Sequence, residues 1–348
     1  MNGQARDVPA AHLRRWRQWW DELPARSKLL PAALLVTYWM ALGALHGMRG
    51  DLVVSSLALG LLYYGGPDCR PLLGFVLPLC LTNILYDSQR YYADFIRGPV
   101  HVRGPYELER RLFGIAGPEG VLTPNEWWQR HLHPVLDAVT GLGYIAYVPV
   151  FVGVAAYFRF GKGRTGSRLC PPEVFRARAP QVMWAFLWVN LLGWSTYYWY
   201  AVSPPWYVAL HGLGPALLDT RASPAGCARF DALVGLPVFA GWYGRAADVH
   251  GAMPALHVSY PLLSVYYAFR FGAARVFTTA FFLLMCFAAV YLNHHYVLDV
   301  LGGVVYALVV AAAIEALWPR RPRAPSASAR EGTGGTEGAA IDASNVAR

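Results

Sequence analysis

The chain has 348 residues, 55% of them hydrophobic and 15% charged, with a formal net charge of +9. Soluble domains usually carry about 25% charged residues, so this composition excludes an ordinary soluble domain and points to a polytopic membrane protein. The positive charge does not argue for nucleic acid: apart from Lys28 and Lys162 it is all arginine, clustered in short loops between apolar runs, where the positive-inside bias puts it.

Residues 1–28 are basic and carry Trp16, Trp19 and Trp20, which predicts an amphipathic segment at the cytoplasmic interface. Residues 29–318 form the expected transmembrane catalytic domain. It holds eight apolar runs, at 30–48, 51–65, 71–87, 140–158, 182–202, 255–270, 275–292 and 296–318. The second and third are short for spans that need about 20 residues, and are read as re-entrant or tilted. Between them and the fourth lies a polar, aromatic region, 88–139, with Trp127 and Trp128 placed like an interfacial belt. Residues 319–348 are rich in Arg, Pro, Ser, Ala and Gly and read as a disordered cytoplasmic tail. The five cysteines, Cys69, Cys80, Cys170, Cys227 and Cys286, form no C-x-x-C pair. They predict neither a disulfide framework nor a zinc site, and read as small apolar residues.

With the N-terminus in the cytoplasm and eight spans, the cytoplasmic elements all become basic: the N-terminal segment, the loop near Arg70, the stretch Arg159 to Arg178, the turn Arg270 to Arg275 and the run Arg320-Arg321-Pro322-Arg323. Region 88–139 breaks the pattern, because it falls outside yet carries Arg90, Arg97, Arg103, Arg110, Arg111 and Arg130. The reading adopted is that some of these arginines serve a function there.

Two histidine clusters close one predicted helical hairpin on that same external face. The first is Gly251-Ala252-Met253-Pro254-Ala255-Leu256-His257, the second Asn293-His294-His295-Tyr296-Val297-Leu298-Asp299. The basic turn Arg270-Phe271-Gly272-Ala273-Ala274-Arg275 joins the two helices between them. His295 and Asp299, at i and i+4, share a helix face. A carboxylate on one imidazole nitrogen fixes the tautomer and frees the other nitrogen to attack. Asp299 also opens an otherwise apolar span, which marks it as a functional candidate. Pro261 fits only a first turn, so the helix after the first cluster begins near Leu256–Ser259, with preceding amides free to meet an anion. Taken singly, each residue also has an ordinary reading: an interfacial histidine, or a carboxylate at a helix N-terminus. Together at one end of one hairpin they are the parts of a phosphoryl-transfer site. A haem protein, with His46, His211 and His250 as further axial ligands, is disfavoured because no two histidines face each other at mid-membrane depth. A transporter is disfavoured by the lack of internal repeats.

The two clusters resemble the signature motifs of the type-2 phosphatidic acid phosphatase superfamily. They are most similar to its inositol phosphorylceramide synthase branch, which shows Gly-Ala-Met-Pro-Ser-Leu-His and His-His-Tyr-x-x-Asp. The resemblance is most specific over about 245–305, weaker over about 84–140 and at Ser203 to Tyr207. It implies an all-α polytopic transmembrane helix bundle with a six-helix catalytic core, here with about two extra N-terminal helices. It also implies a two-step mechanism with no metal and no cofactor. By motif position His295 would be the nucleophile, Asp299 would orient it, and His257 would protonate the leaving alcohol and then deprotonate the accepting one. The partners implied are the bilayer, a phospholipid donor and a lipid alcohol acceptor; water as acceptor would make the enzyme a lipid-phosphate or polyprenyl-diphosphate phosphatase instead. Two positions depart from the family. Ala255 stands where Ser is usual, removing a hydroxyl donor to phosphate. Ala289 stands where phosphatase members carry an arginine, and their Lys-x6-Arg-Pro motif is missing as well. The phosphate charge would then fall to Arg90, Arg97, Arg103 or Arg245, with help from His294. The loss of the phosphatase arginines favours a head-group transferase.

Overall fold

In the computed structural model the described residues are 7–45, 49–118, 120–161, 177–244 and 249–318. In chain order the main helices are α1 (Asp7–Glu22), α2 (Ala25–Leu45), α3 (Gly50–Tyr64), α4 (Arg70–Ser88), α5 (Arg103–Phe113), α6 (Pro124–Gln129), α7 (Pro134–Phe160), α8 (Pro180–Trp199), α9 (Pro205–His211), α10 (Cys227–Val234), α11 (Val238–Tyr243), α12 (Leu256–Phe271), α13 (Arg275–Tyr291) and α14 (Val297–Leu317). Each of the eight apolar runs forms one helix. The starts follow local chemistry: Pro124, Pro134, Pro180 and Pro205 each stand in a first turn, where a missing N–H costs nothing. Thr123 and Glu126 add a capping box to α6. Gly272 ends α12 in the left-handed region, φ 77°, and so turns the hairpin into α13.

Among the described residues four stretches are long and apolar enough to cross a membrane: Ala25–Leu45, Pro67–Tyr91, Pro134–Phe160 and Val297–Leu317. The third apolar run is therefore long enough, contrary to the sequence expectation, because its helix is extended by turns at both ends. The second, α3, has 15 residues, a rise of roughly 22 Å, and stays short of a hydrocarbon layer about 30 Å thick. Leucines 29, 30, 34 and 61 stand exposed on α2 and α3, as do Leu301, Val305, Leu308 and Val309 on α14. Such continuous apolar faces are stable against lipid, not water.

The core gathers where α7, α8, α12 and α14 meet, around Phe151, Phe158, Phe186, Tyr260, Tyr267 and Phe271. Helix α12 is its axis and packs on α7, α8, α13 and α14. The α12–α14 crossing is close because Gly303 lacks a side chain: a Cβ there would lie 2.5 Å from the Ala255 carbonyl oxygen. Ser259 fills the same seam and donates to the Gly303 carbonyl at 2.9 Å. At the end of the bundle that carries the histidines, strand β1 (Val100–His101) pairs in parallel with strand β4 (Ala201–Val202), and Val202 bridges to Gly251. A small antiparallel pair, β2 (Ile115–Gly117) and β3 (Gly120–Leu122), precedes α6. The N-terminal helix α1 docks on the α3–α4 turn: Trp16 donates to the Tyr64 carbonyl, and Asp68 accepts from Arg15.

Candidate active site

His257 lies in the first turn of α12, and His295 in the turn between α13 and α14. That turn is tight. Asn293 adopts φ 62°, and the N–H groups of His294 and His295 both reach the Ala289 carbonyl, at 3.1 and 3.0 Å. The hairpin thereby brings the two imidazoles together as the sequence predicts, His257 Nδ1 to His295 Nε2 at 3.0 Å. The other nitrogen of His295 donates to the Ala252 carbonyl at 2.8 Å. This fixes the tautomer: Nδ1 carries the proton, Nε2 keeps its lone pair, and the shared hydrogen comes from His257.

Asp299 does not make the hydrogen bond expected of it. Its Oδ2 accepts from the Tyr296 N–H at 2.8 Å and stands 3.8 Å from His295 Nδ1. Its Oδ1 has no hydrogen-bond partner among the described residues. The carboxylate caps α14 and offers His295 a nearby charge; the orienting bond comes from a backbone carbonyl, which no side-chain pattern could reveal. Glu109 completes this helix start from α5. It is fully buried and accepts from the N–H groups of Val297 at 2.9 Å and Leu298 at 3.1 Å. Burial pushes its carboxyl up, the two backbone donors oppose this, and Asp299 adds to the rise.

Region 88–139 proves to be the support of the histidine turn. Asn125, 1% exposed, donates to the carbonyls of Val290 and His295 at 3.0 and 2.9 Å. Gln129 donates to the Tyr291 carbonyl at 2.9 Å, and the Tyr291 hydroxyl donates to Asp137 at 3.0 Å. Trp128 packs edge-on against Phe287 and Tyr291. From the other side, Trp206 and Gly226 donate to the carbonyls of Asn293 and Leu292. The carbonyls of Val290, Tyr291, Leu292, Asn293 and His295 are thus each tied to a distant segment.

Residues 174–313, which include both histidine clusters, match the PAP2 superfamily. The chain is 31% identical over 296 residues to a phosphoinositol dihydroceramide synthase of Bacteroides thetaiotaomicron, covering 82% of this chain and 91% of that protein. The chain belongs to the PAP2 superfamily. Within it the chain falls in the inositol phosphorylceramide synthase-like branch, and it is an integral membrane phosphotransferase. It is 29% identical over 231 residues to the inositol phosphorylceramide synthase catalytic subunit of Schizosaccharomyces pombe (65% of this chain, 50% of that protein). It is 27% identical over 237 residues to the Saccharomyces cerevisiae subunit of the same name (67% and 54%). No solved structure matches the chain.

In this PAP2 protein the imidazoles of His257 and His295 both border a cavity of about 510 Å³. Its walls are mainly aromatic, with Tyr86, Tyr144, Tyr147, Trp194, Tyr197 and Tyr243 among them. Tyr144 stacks on both His257 and His294, with centroids at 4.8 and 5.3 Å, and Tyr243 stacks on the far face of His294 at 4.8 Å. His294 is therefore sandwiched. Its Nε2 donates to the Pro224 carbonyl at 3.2 Å and its Nδ1 faces the Tyr243 hydroxyl at 3.4 Å. Burial pushes its imidazolium down to about 3, so it is neutral and brings no charge to a phosphate.

Of the arginines named from sequence, Arg90 alone among the described ones borders the cavity, and it pairs with Asp87. Arg103 forms an exposed ion pair with Glu107 at 3.3 Å. Arg97 lies outside the lining, where the Gly98 N–H joins the Tyr198 carbonyl and leads the chain into β1. Arg245, like His46, lies outside the described residues. Ala255 is fully buried against Val258, Ala289, Val290 and Val300 and does not line the cavity. Two of the amides expected to meet an anion before α12 are already used, since Ala252 N–H bonds to Val202 O and Ala255 N–H to Asp299 O. Arg49, which the sequence reading missed, also borders the cavity and shares Asp87.

Proposed function

We propose that this protein transfers phosphoinositol from phosphatidylinositol to the primary hydroxyl of a ceramide-like acceptor, through a phosphohistidine on His295. The observation that carries the reading is the 3.0 Å contact between two imidazoles at the wall of an aromatic cavity, with the far nitrogen of His295 held by the Ala252 carbonyl. The names of the relatives supply the substrates.

In the first step His295 Nε2 attacks phosphorus and the bond to the diacylglycerol oxygen breaks. His257, as an imidazolium, gives that oxygen its proton. The anionic phosphodiester is the counter-charge that makes a buried imidazolium tolerable. The positive charge that develops on the phosphorylated ring is met by the Ala252 carbonyl at Nδ1 and by Asp299 beyond it. In the second step His257, now neutral, takes the proton of the acceptor hydroxyl. The oxygen attacks phosphorus, the P–N bond breaks, and His295 is regenerated. Arg90 is the proposed counter-charge for the head group. The site lies on the external face of the membrane, with the basic hairpin turn of Arg270 and Arg275 inside.

Purified protein given phosphatidylinositol and ceramide yields inositol phosphorylceramide and diacylglycerol, read by mass spectrometry. Release of free phosphate from a phosphomonoester lipid, with no inositol-containing product, would overturn the proposal.

A further inference from the structure

The cavity has a second polar wall, away from the histidine turn, built from the end of α4 and the start of α3. Asp87, 3% exposed, accepts from Arg49 at 2.5 Å and from Arg90. Two guanidinium groups converge on one buried carboxylate. Beside them Gln89, 2% exposed, accepts from the Tyr198 hydroxyl at 2.8 Å through its carbonyl oxygen. Its amide nitrogen is buried and has no hydrogen-bond partner among the described residues. Arg49, Asn83, Asp87, Gln89 and Arg90 all border the same cavity as His257 and His295.

Such a wall does not suit an acyl chain. Hydrocarbon laid against it would strip water from three charged side chains and leave the Gln89 amide without a partner. Nor does it read as a simple anion clamp, because the two arginine charges are met by two carboxylates, Asp87 and Asp51, the latter 3.0 Å from Arg49. What it presents is donors and an acceptor side by side: guanidinium N–H groups, an amide N–H and a carboxylate. Vicinal hydroxyls, which donate and accept at once, are the complement of that pattern.

We infer that Arg49, Asp87 and Gln89, together with Arg90, form the subsite that reads the polyol ring of the donor head group. The inference rests on the phosphoinositol transfer proposed above. All four residues lie before residue 174, so they fall outside the segment that matches the PAP2 superfamily. The division is physically sensible. The common chemistry sits on α12 to α14, and head-group choice sits on the α3–α4 pair, which packs on α8 and through it reaches α12 and α14.

The test compares donors with the full-length protein in vesicles. Wild-type protein uses phosphatidylinositol in preference to phosphatidylglycerol, whose head group offers two hydroxyls on a flexible chain. Gln89→Leu removes the orphan donor, and Asp87→Asn removes the charge at a nearly isosteric cost. Each raises KM for phosphatidylinositol roughly tenfold with kcat little changed, the size expected for one lost buried hydrogen bond. Each also narrows the preference over phosphatidylglycerol. Tyr198→Phe, which frees the Gln89 carbonyl but leaves its amide in place, keeps the wild-type KM. Because Asp87→Asn leaves Arg90 without its carboxylate and Arg49 with Asp51 alone, Gln89→Leu decides the matter if the Asp87 variant fails to fold. Unchanged KM and donor preference in a folded Gln89→Leu variant overturns the subsite, as does a rise in KM for ceramide in place of the donor. If wild-type protein makes no inositol lipid at all, it is the phosphotransfer reading that falls.

Discussion

His257 and His295 share a single hydrogen between Nδ1 and Nε2 at 3.0 Å, while the far nitrogen of His295 is held by the Ala252 carbonyl at 2.8 Å. The lone pair assigned to attack therefore points at the very group assigned to move protons, and a phosphorus atom approaching it has to part the two rings. The two histidines act as one unit, so their substitutions do not add. His295→Ala is expected to lose more than about 10⁴-fold in rate and His257→Ala about 10²–10⁴-fold, with the double variant no worse than His295→Ala. Steady-state product formation by folded variants checks this. Wild-type turnover in His295→Ala overturns the nucleophile assignment, and a strictly additive double variant overturns the coupling.

Asp299 has two jobs that two substitutions separate. Asp299→Asn keeps an oxygen for the Tyr296 N–H but loses the charge beyond His295, so it should remain stable and retain some activity while the rate falls strongly. Asp299→Ala loses the cap as well, which costs about 1 kcal/mol at a helix N-terminus. Thermal unfolding beside activity for both variants distinguishes the roles. Equal stability of the two removes the capping role seen in the 2.8 Å bond.

Glu109 is read through pH. Its folded-state carboxyl lies above the ordinary value of 4.5 because it is buried. Its contribution to stability is therefore complete below that value and declines as pH rises through the folded-state value. Glu109→Gln cannot ionise and escapes the decline. The melting temperature of wild type should fall relative to Glu109→Gln as pH rises above the ordinary value of 4.5. Parallel curves above that value would mean that Glu109 ionises in the fold as readily as in the unfolded chain, which removes the effect.

His294 should show the opposite slope. Its imidazolium is depressed to about 3 by burial, so its stabilising contribution is present above the ordinary value of 6.5 and is lost as pH falls toward 3. Relative to His294→Phe, wild-type protein should lose melting temperature on acidification through that interval. Because His294 stays neutral near pH 7, the acid limb of the kcat profile should persist in His294→Phe. Disappearance of that limb would mean that His294, not His257, carries the titrating proton.

The hairpin was legible because its signals are local. The Gly251–His257 and Asn293–Asp299 clusters lie at the mouths of two apolar runs, and the basic turn at Arg270–Arg275 closes them. The eight helices were legible for the same reason. The supports of the site were not. Asn125 meets His295 across 170 positions and Glu109 meets Leu298 across 189, and neither leaves a mark at its own position beyond an ordinary polar residue. The Thr123-x-x-Glu126 capping box did signal a helix inside region 88–139, and could have shown that this stretch is built structure. The arginine anomaly there was read as one anion clamp; only Arg90 borders the cavity, because Asp87 and the start of α3 decide where α4 delivers its side chains.

Ala255 tests the reading of a departure from the family pattern. The missing serine suggested a lost phosphate donor, yet the position is fully buried at the α12–α14 seam and stands at the N-cap of α12 with no side-chain capping bond. A hydroxyl there has a nearer use, which is to accept from a first-turn N–H, a gain of about 0.5–2 kcal/mol when Ala is replaced by Ser at such a site. Ala255→Ser is thus expected to raise the melting temperature and leave kcat/KM within about threefold, since RT ln 3 is only about 0.65 kcal/mol. Gly303→Ala should do the reverse. Its Cβ would press within 2.5 Å of the Ala255 carbonyl oxygen, and backbone cannot give way as a side chain does, so overpacking should cost about 1–3 kcal/mol. That strain falls on the seam that holds His257 against His295, so activity should fall with stability. If Ala255→Ser instead raises kcat/KM tenfold with no change in melting temperature, the hydroxyl reaches the phosphate and the seam is looser than its glycine implies.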